Sequence, residues 1–161
     1  MKNWNRKYFL MIVLVGIAVA LAACSKTETA VGINTGSDGL AIKGFDAVAY
    51  FAVDNAVKGN AKYEYVWNGA KWLFSSEENM KKFQADPETY APQFGGYCSF
   101  AVSEGYTADG DPEAWKVVDG KLYLNYNKKV REKWEQNQNE RIEKGASNWK
   151  SFQTKKPEHK G

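Results

Sequence analysis

The chain has 161 residues, with 22 Lys and Arg against 19 Asp and Glu, and a formal net charge of +3. Three of the basic residues, Lys2, Arg6 and Lys7, belong to an N-terminal stretch that is free of acidic residues as far as Ala23. The rest of the chain is therefore close to neutral and lacks the clustered positive charge that binds nucleic acid phosphates. Its single histidine, His159, lies near the C-terminus. Metal sites and catalytic triads built on an internal histidine are thus excluded, and we expect a protein that is not an enzyme.

The N-terminus indicates export. The apolar run from Tyr8 to Ala23 is shorter than the about 20 residues that span a bilayer, which favours a signal peptide at residues 1–23. Leu21-Ala22-Ala23-Cys24 resembles the bacterial lipobox, in which the cysteine is acylated, for example with palmitate, and begins the mature chain. The resemblance implies a lipid anchor in the membrane. Ser25 favours the periplasmic face of the outer membrane if the host has two membranes. An ordinary secretory signal with an incidental cysteine is the alternative.

Composition divides the remainder into three parts. Residues 24–39 are polar and contain several glycines, which predicts a lipidated cysteine followed by a flexible tether. The folded domain is expected at residues 40–152, and residues 153–161 are predicted to form a disordered tail. Near the start of the domain, residues 45–51 are apolar and aromatic, which fits a buried strand or another buried conformation.

Two turn sequences predict two β-hairpins. Asn68-Gly69 separates aromatic-rich runs, and Asp119-Gly120 separates the runs 115–118 and 121–126. Both dipeptides suit a type I′ turn, which needs two residues with positive φ.

Helices are predicted after each hairpin. Ser75 with Glu78 matches a capping box at the start of the first helix, and Pro87 ends it. A charged helix is expected at 128–144, and Asp-Pro-Glu at residues 86–88 and 111–113 predicts two short helical turns. The fold class is therefore α+β: a small single domain with a mostly antiparallel sheet of two hairpins, two main helices and short helical turns.

The combined motifs resemble the YHS domain, in particular its secreted bacterial subfamily. The resemblance covers residues 40–152 and rests on Gly44–Phe51, Trp72–Ser76, Asp86–Tyr90, Gly95–Cys98, Pro112–Trp115 and Gly120–Tyr126. It implies no established reaction. Other members of the family are metal-binding modules, and the resemblance places their cysteines at the positions of Ala49, Ser75 and Asn79. Methyl, hydroxyl and amide groups do not replace thiolates as ligands of copper(I) or zinc. We therefore expect folding without a cofactor, with copper or another soft metal still open as a ligand.

Cys98 is the main candidate site residue of the domain. It follows Gly95-Gly96 and Tyr97, and it is either a metal-binding or redox-active thiol or a buried small apolar side chain. Met80 is a second soft ligand only if its helix packs against the Cys98 loop. Tyr97 and Tyr50 are weaker candidates through their hydroxyls.

The sequence thus predicts one function and leaves an alternative. The first is a membrane-tethered, extracytoplasmic binding module for a small ligand, a metal ion or a protein partner. The alternative is a thiol-based redox or soft-metal relay protein that uses Cys98. A set of aromatic residues could line an apolar ligand pocket, although we expect most of them to be core residues: Tyr50, Tyr65, Trp67, Trp72, Tyr97 and Trp115.

Overall fold

The computed structural model describes residues 31–161. The predicted signal peptide, Cys24 and the first residues of the predicted tether lie outside this range. The elements in chain order are α1 (Ala49–Ala52), β1 (Asn60–Trp67), β2 (Ala70–Phe74), α2 (Glu77–Ala85), α3 (Pro87–Tyr90), α4 (Ser99–Ser103), β3 (Asp111–Val118), β4 (Lys121–Asn125), α5 (Lys128–Gln136) and α6 (Gln138–Phe152). Across the described residues, no helix has both the length and the apolar character needed to cross a membrane.

Both predicted hairpins are confirmed. Strand β1 pairs antiparallel with β2, and β3 pairs antiparallel with β4. The first turn has φ 49° at Asn68 and 75° at Gly69, and the second has φ 49° at Asp119 and 70° at Gly120. These positive angles are why each turn needs an Asn or Asp followed by a glycine. The fold is α+β, as expected.

Local details differ from the sequence predictions where side chains find more distant partners. Residues 45–48 form a loop and residues 49–51 belong to α1, so this segment is not a strand. Ser76, not Ser75, caps α2, because Ser75 instead donates to Asp46. Asp86 caps α3 as predicted.

The other two differences concern backbone continuity. Residues 111–113 begin strand β3 and do not form a helical turn, because their backbone pairs with β4. The predicted helix at 128–144 is divided at Asn137, whose φ of −132° and ψ of 45° are not helical. The two resulting helices are α5 and α6.

The domain contains two structurally equivalent units, residues 42–85 and residues 93–136. Each begins with a 3-10 turn that contains residues with positive φ, and a short helix follows. Next comes a hairpin with strands of 8 and 5 residues and a bulge in the longer strand. A helix of 9 residues ends the unit. Corresponding positions carry related side chains: Gly59 and Gly110, Trp72 and Tyr123, Leu73 and Leu124, Phe83 and Trp134. The second unit thus repeats the order of elements of the first.

Each unit has its own aromatic centre. In the first, Trp72 and Phe83 are fully buried and their ring centroids lie 4.8 Å apart. In the second, the rings of Tyr123 and Trp134 lie 5.3 Å apart. Helix α6 packs over the second unit, where Gly145 lies against Phe94. Burial of these large rings supplies the main stabilisation of the domain.

Segments outside the two units are held against the second unit. The Val31 amide donates to the Phe152 carbonyl at 3.3 Å, and the Asn34 amide donates to the Gly95 carbonyl at 2.8 Å. In the segment for which composition predicts a disordered tail, Glu158 and Lys160 make backbone hydrogen bonds of 2.8 and 2.7 Å with Thr107. Both segments run along unpaired backbone edges of the second unit and form hydrogen bonds with them. Composition does not reveal such long-range partners.

Candidate functional site

Asp46 is the centre of a saturated hydrogen-bond cluster in the first unit. Its side chain is fully buried. One carboxylate oxygen accepts from the amides of Val48 at 2.9 Å and Ala49 at 3.3 Å. The other accepts from the amide of Ser75 at 2.9 Å, its hydroxyl at 2.6 Å, and Nδ2 of Asn79 at 2.7 Å. The cluster ties the loop before α1 to the start of α2.

Cys98 occupies the equivalent place in the second unit. Its thiol faces the backbone amides of Ala101, Tyr126 and Phe100. These correspond to the amides of Ala49, Ser75 and Val48 around Asp46. The backbone around Cys98 thus resembles the backbone around Asp46, but the Phe100 amide donates to Oδ1 of Asn125 at 3.2 Å.

The surroundings of Cys98 make it a structural thiol in this conformation. It is 1% exposed and packs with Ala101 and Ala108. Burial raises the pKa of the Cys98 thiol, although the three amides act in the opposite direction. Met80 packs on the core of the first unit, in a different cluster, so the structure does not bring these two sulfur atoms together.

Tyr50 is a core residue of the interface between the units. It is 1% exposed, and its hydroxyl donates to the Pro112 carbonyl at 3.0 Å. Its ring meets Trp115 edge to face, with centroids 5.1 Å apart. Burial, followed by the charges of Asp111 and Asp46, raises the pKa of Tyr50 above its ordinary value. The phenol therefore stays protonated and structural.

Tyr97 faces a polar cleft of about 500 Å³ on the second unit. The walls come from three places: the N-terminal segment, the Tyr97–Asp109 backbone bridge, and the C-terminal segment. Burial and the charge of Asp109 raise the pKa of the half-buried Tyr97 hydroxyl. The polar side chains that line the cleft are Asn34, Thr35, Tyr97, Thr107, Asp109, Lys156 and His159.

His159 is fixed in this cleft by its neighbours. Its Nδ1 lies 3.1 Å from Oγ1 of Thr107, and its Nε2 lies 3.7 Å from a carboxylate oxygen of Asp109. Its ring centroid is 6.1 Å from that of Tyr97, in an edge-to-face arrangement. The cleft thus combines an imidazole, a carboxylate, a phenol and an ammonium group, a mixture suited to binding a polar ligand.

A second, less polar groove of about 440 Å³ lies on the other side of Gly32, between Trp67 and Trp149. Of the predicted aromatic pocket, Trp67 lines this groove, Tyr97 lines the polar cleft, and Tyr50 and Trp72 are core residues. The aromatic residues therefore do not converge on one pocket.

A comparison with protein families matches residues 48–94 to the YHS domain. The chain contains a YHS domain. The match begins at Val48, covers most of the first unit and ends at the second residue of the second unit. Comparisons with curated proteins and with solved structures give no match.

The residues of this YHS domain do not form a soft-metal site of the kind that the sequence resemblance implies. Ala49, Ser75 and Asn79 do converge, but they converge on Asp46, to which all three donate hydrogen bonds. The carboxylate oxygens are taken up by five donors, and no thiolate is present in the cluster. This donor set does not suit copper(I) or zinc, which prefer sulfur and imidazole ligands. The cluster joins the loop before α1 to the start of α2 through hydrogen bonds.

The cleft residues Thr107, Asp109 and His159 were not candidates from the sequence. His159 lies far along the chain in a polar segment, and only the backbone pairing with Thr107 brings it to Tyr97. The one available signal was the position of a lone histidine among charged residues, which does not reveal its partner. Cys24 lies outside the described residues.

Proposed function

We propose that this protein is a non-enzymatic, extracytoplasmic binding module that is tethered to a membrane by lipidated Cys24 and binds its ligand in the polar cleft. The observation that carries the proposal is the convergence of Tyr97, Asp109 and His159 on one cleft. The YHS domain supports a binding role, and the cleft supplies mixed polar groups for a small ligand or a metal ion.

The position of the cleft relative to the proposed anchor supports this assignment. Val31 and Gly32 line the cleft, and Cys24 precedes them by a short polar stretch. A lipid on Cys24 would hold the cleft within a few nanometres of the membrane surface, since an extended chain spans at most about 3.6 Å per residue. A ligand received from or delivered to another envelope protein would suit such a position.

The binding role is tested on the full chain, purified in mild detergent from its own membranes. Elemental analysis and native mass spectrometry show what travels with the protein. We expect a bound species in the wild type and in Ser37→Trp, a control at an exposed position outside the cleft lining. Thr35→Trp, which places a large ring at the cleft wall, should lose that species. Retention by Thr35→Trp, or no bound species in the wild type, would refute binding in the cleft.

The anchor is tested separately with Cys24→Ala. The wild-type chain should partition into the detergent phase and label with palmitate, whereas Cys24→Ala should lose the label. If Cys24→Ala were still acylated, the lipoprotein part of the proposal would be wrong, and the binding part would be unaffected.

The alternative, a thiol relay through Cys98, has one feature in its favour: nearby backbone amides act to lower the pKa of the thiol. Such donors stabilise a thiolate, but burial opposes them and the thiol is closed to solvent. We therefore rank this function second.

A further inference from the structure

We propose that His159 and Asp109 bind one divalent transition-metal ion in the polar cleft, through Nε2 of the imidazole and an oxygen of the carboxylate. This inference rests on the proposed binding function and names the class of ligand. The two atoms lie 3.7 Å apart, and both side chains are partly open to solvent, at 43% and 47%. An ion can therefore enter from the cleft without a rearrangement of the core.

The hydrogen bonds of the C-terminal segment fit a tautomer of His159 in which Nδ1 carries the proton. The hydroxyl of Thr107 donates to the Glu158 carbonyl at 3.3 Å. Its oxygen is then available to accept from Nδ1–H of His159 at 3.1 Å. In this assignment Nε2 carries a lone pair that faces the Asp109 carboxylate, so that two acceptors oppose each other. A histidine whose other ring nitrogen is held by a neighbour is the usual arrangement of a metal ligand.

The separation of the two atoms fits a shared ion. Metal–nitrogen and metal–oxygen bonds are about 2.0–2.2 Å long. Two such bonds reach across 3.7 Å with an obtuse angle at the metal. A direct hydrogen bond, by contrast, would need a heavy-atom distance near 2.9 Å. The spacing is therefore too long for a direct hydrogen bond, and it leaves room for an intervening cation.

The donor types define the class of ion. An imidazole with a carboxylate suits Zn²⁺, Ni²⁺ or Cu²⁺, whereas copper(I) prefers sulfur. Within residues 31–161 no group of three or more His, Cys, Asp or Glu side chains comes together, so water or a second ligand would complete the coordination. Lys156 also lines the cleft. Its ammonium group would favour an anionic second ligand.

Comparison of the two units supports the same conclusion. In the first unit, the bridge equivalent to Tyr97–Asp109 joins Phe45 and Lys58, and Nζ of Lys58 lies 4.2 Å from the centroid of the Phe45 ring. A cation is thus built into the first unit at this place. In the second unit the carboxylate of Asp109 occupies this position instead, next to the imidazole of His159, which lies outside the unit. This difference creates a place for an added cation.

The test exploits the single histidine of the chain. The full chain, purified in detergent without a histidine tag, is loaded with one equivalent of Cu²⁺ and studied by pulsed electron paramagnetic resonance. Modulation from a remote imidazole nitrogen can come only from His159. We expect it in the wild type and in Glu158→Gln, a neighbouring control, and we expect its loss in His159→Asn.

Affinity for Zn²⁺, measured by calorimetry, tests the second ligand. Asp109→Asn leaves the backbone pairing with Tyr97 in place and should weaken binding at least tenfold, since even residues behind a ligand contribute about 10–100-fold. Absence of imidazole modulation in the wild type, or equal Zn²⁺ affinity in Asp109→Asn, would overturn the inference. If another species still travels with the wild type and is lost in Thr35→Trp, the metal site fails and the proposed binding function stands.

Discussion

Asp46 and Cys98 show how one backbone arrangement accepts two different chemistries. Each lies where the chain enters a short helix, and each faces the amides of the second and third residues after it and of the first residue beyond the hairpin. A carboxylate adds two side-chain donors, from Ser75 and Asn79. A thiol is small and weakly polar, so apolar neighbours suffice. The arrangement is therefore structural in both units.

Removing the charge at Asp46 should destabilise the domain strongly. In Asp46→Asn the new amide nitrogen cannot accept from Ser75 or Asn79, so buried donors are left unpaired. We expect a loss of at least about 2 kcal/mol in the free energy of unfolding, measured with urea. Glu64→Gln, at an exposed position in β1, is the control and should change stability by less than about 0.5 kcal/mol. Equal stability of Asp46→Asn and the wild type would contradict the structural role.

The thiol of Cys98 should be protected in the folded protein. Because it is 1% exposed and burial raises its pKa, a thiol reagent at pH 7.5 should react with it only as fast as the domain opens. Labelling is followed by mass spectrometry with and without urea. Labelling in the native state at the rate of a free cysteine would instead favour the relay function.

Because the hydroxyl of Tyr50 is buried, we expect the domain to lose stability in alkaline solution. Its pKa is raised by folding, so the folded state keeps a proton that the unfolded chain releases above its ordinary value of 10.0. The associated stability is present below pH 10 and is lost as the pH rises beyond it. Tyr50→Phe should cost about 1 kcal/mol at pH 7 through the lost hydrogen bond, and its stability should fall less steeply above pH 10. A Tyr50→Phe variant whose stability falls as steeply as that of the wild type above pH 10 would contradict this prediction.

At the scale of elements, the hairpins were predictable because their turns are encoded by two adjacent residues. Asn68-Gly69 and Asp119-Gly120 need only local chemistry. The break between α5 and α6 was not predictable, since Asn137 lies in a run of good helix formers. The repeated unit was also hidden, because equivalent positions keep size and aromatic character but not identity, as with Phe83 and Trp134. The cleft depends on pairings between distant segments that no local pattern specifies.

Helix α6 is held close to the second unit by a glycine. A Cβ atom at Gly145 would lie 2.7 Å from Cζ and 2.9 Å from Cε2 of Phe94, so either the ring or the helix must move. Although alanine favours a helix, we expect Gly145→Ala to lower the free energy of unfolding by about 1–3 kcal/mol. Ser147→Ala, at an exposed position of the same helix, should be neutral or stabilising. A more stable Gly145→Ala would show that α6 packs less closely.

In the whole molecule, the residues that stabilise the fold are different from those proposed to bind a ligand. Two units with aromatic centres form the core, and the segments 31–35 and 156–159 add the walls of the cleft. The cleft residues His159 and Asp109 lie outside these centres. The Asp46 cluster completes its own hydrogen bonds without a metal, so the fold has no structural need for the ion proposed in the cleft.

This separation predicts how the full chain responds to metal removal. A strong chelator should leave the melting temperature of the protein as purified nearly unchanged, because an ion in an exposed two-residue site adds little to folding. A domain organised around a structural metal behaves otherwise, since metal binding is then part of its folding free energy. Thermal unfolding is followed by circular dichroism, with Asp109→Asn as the control that lacks the proposed site. Saturating Zn²⁺ should raise the melting temperature of the wild type slightly and that of Asp109→Asn less. A large drop with chelator that persists in Asp109→Asn would place a structural metal elsewhere in the domain.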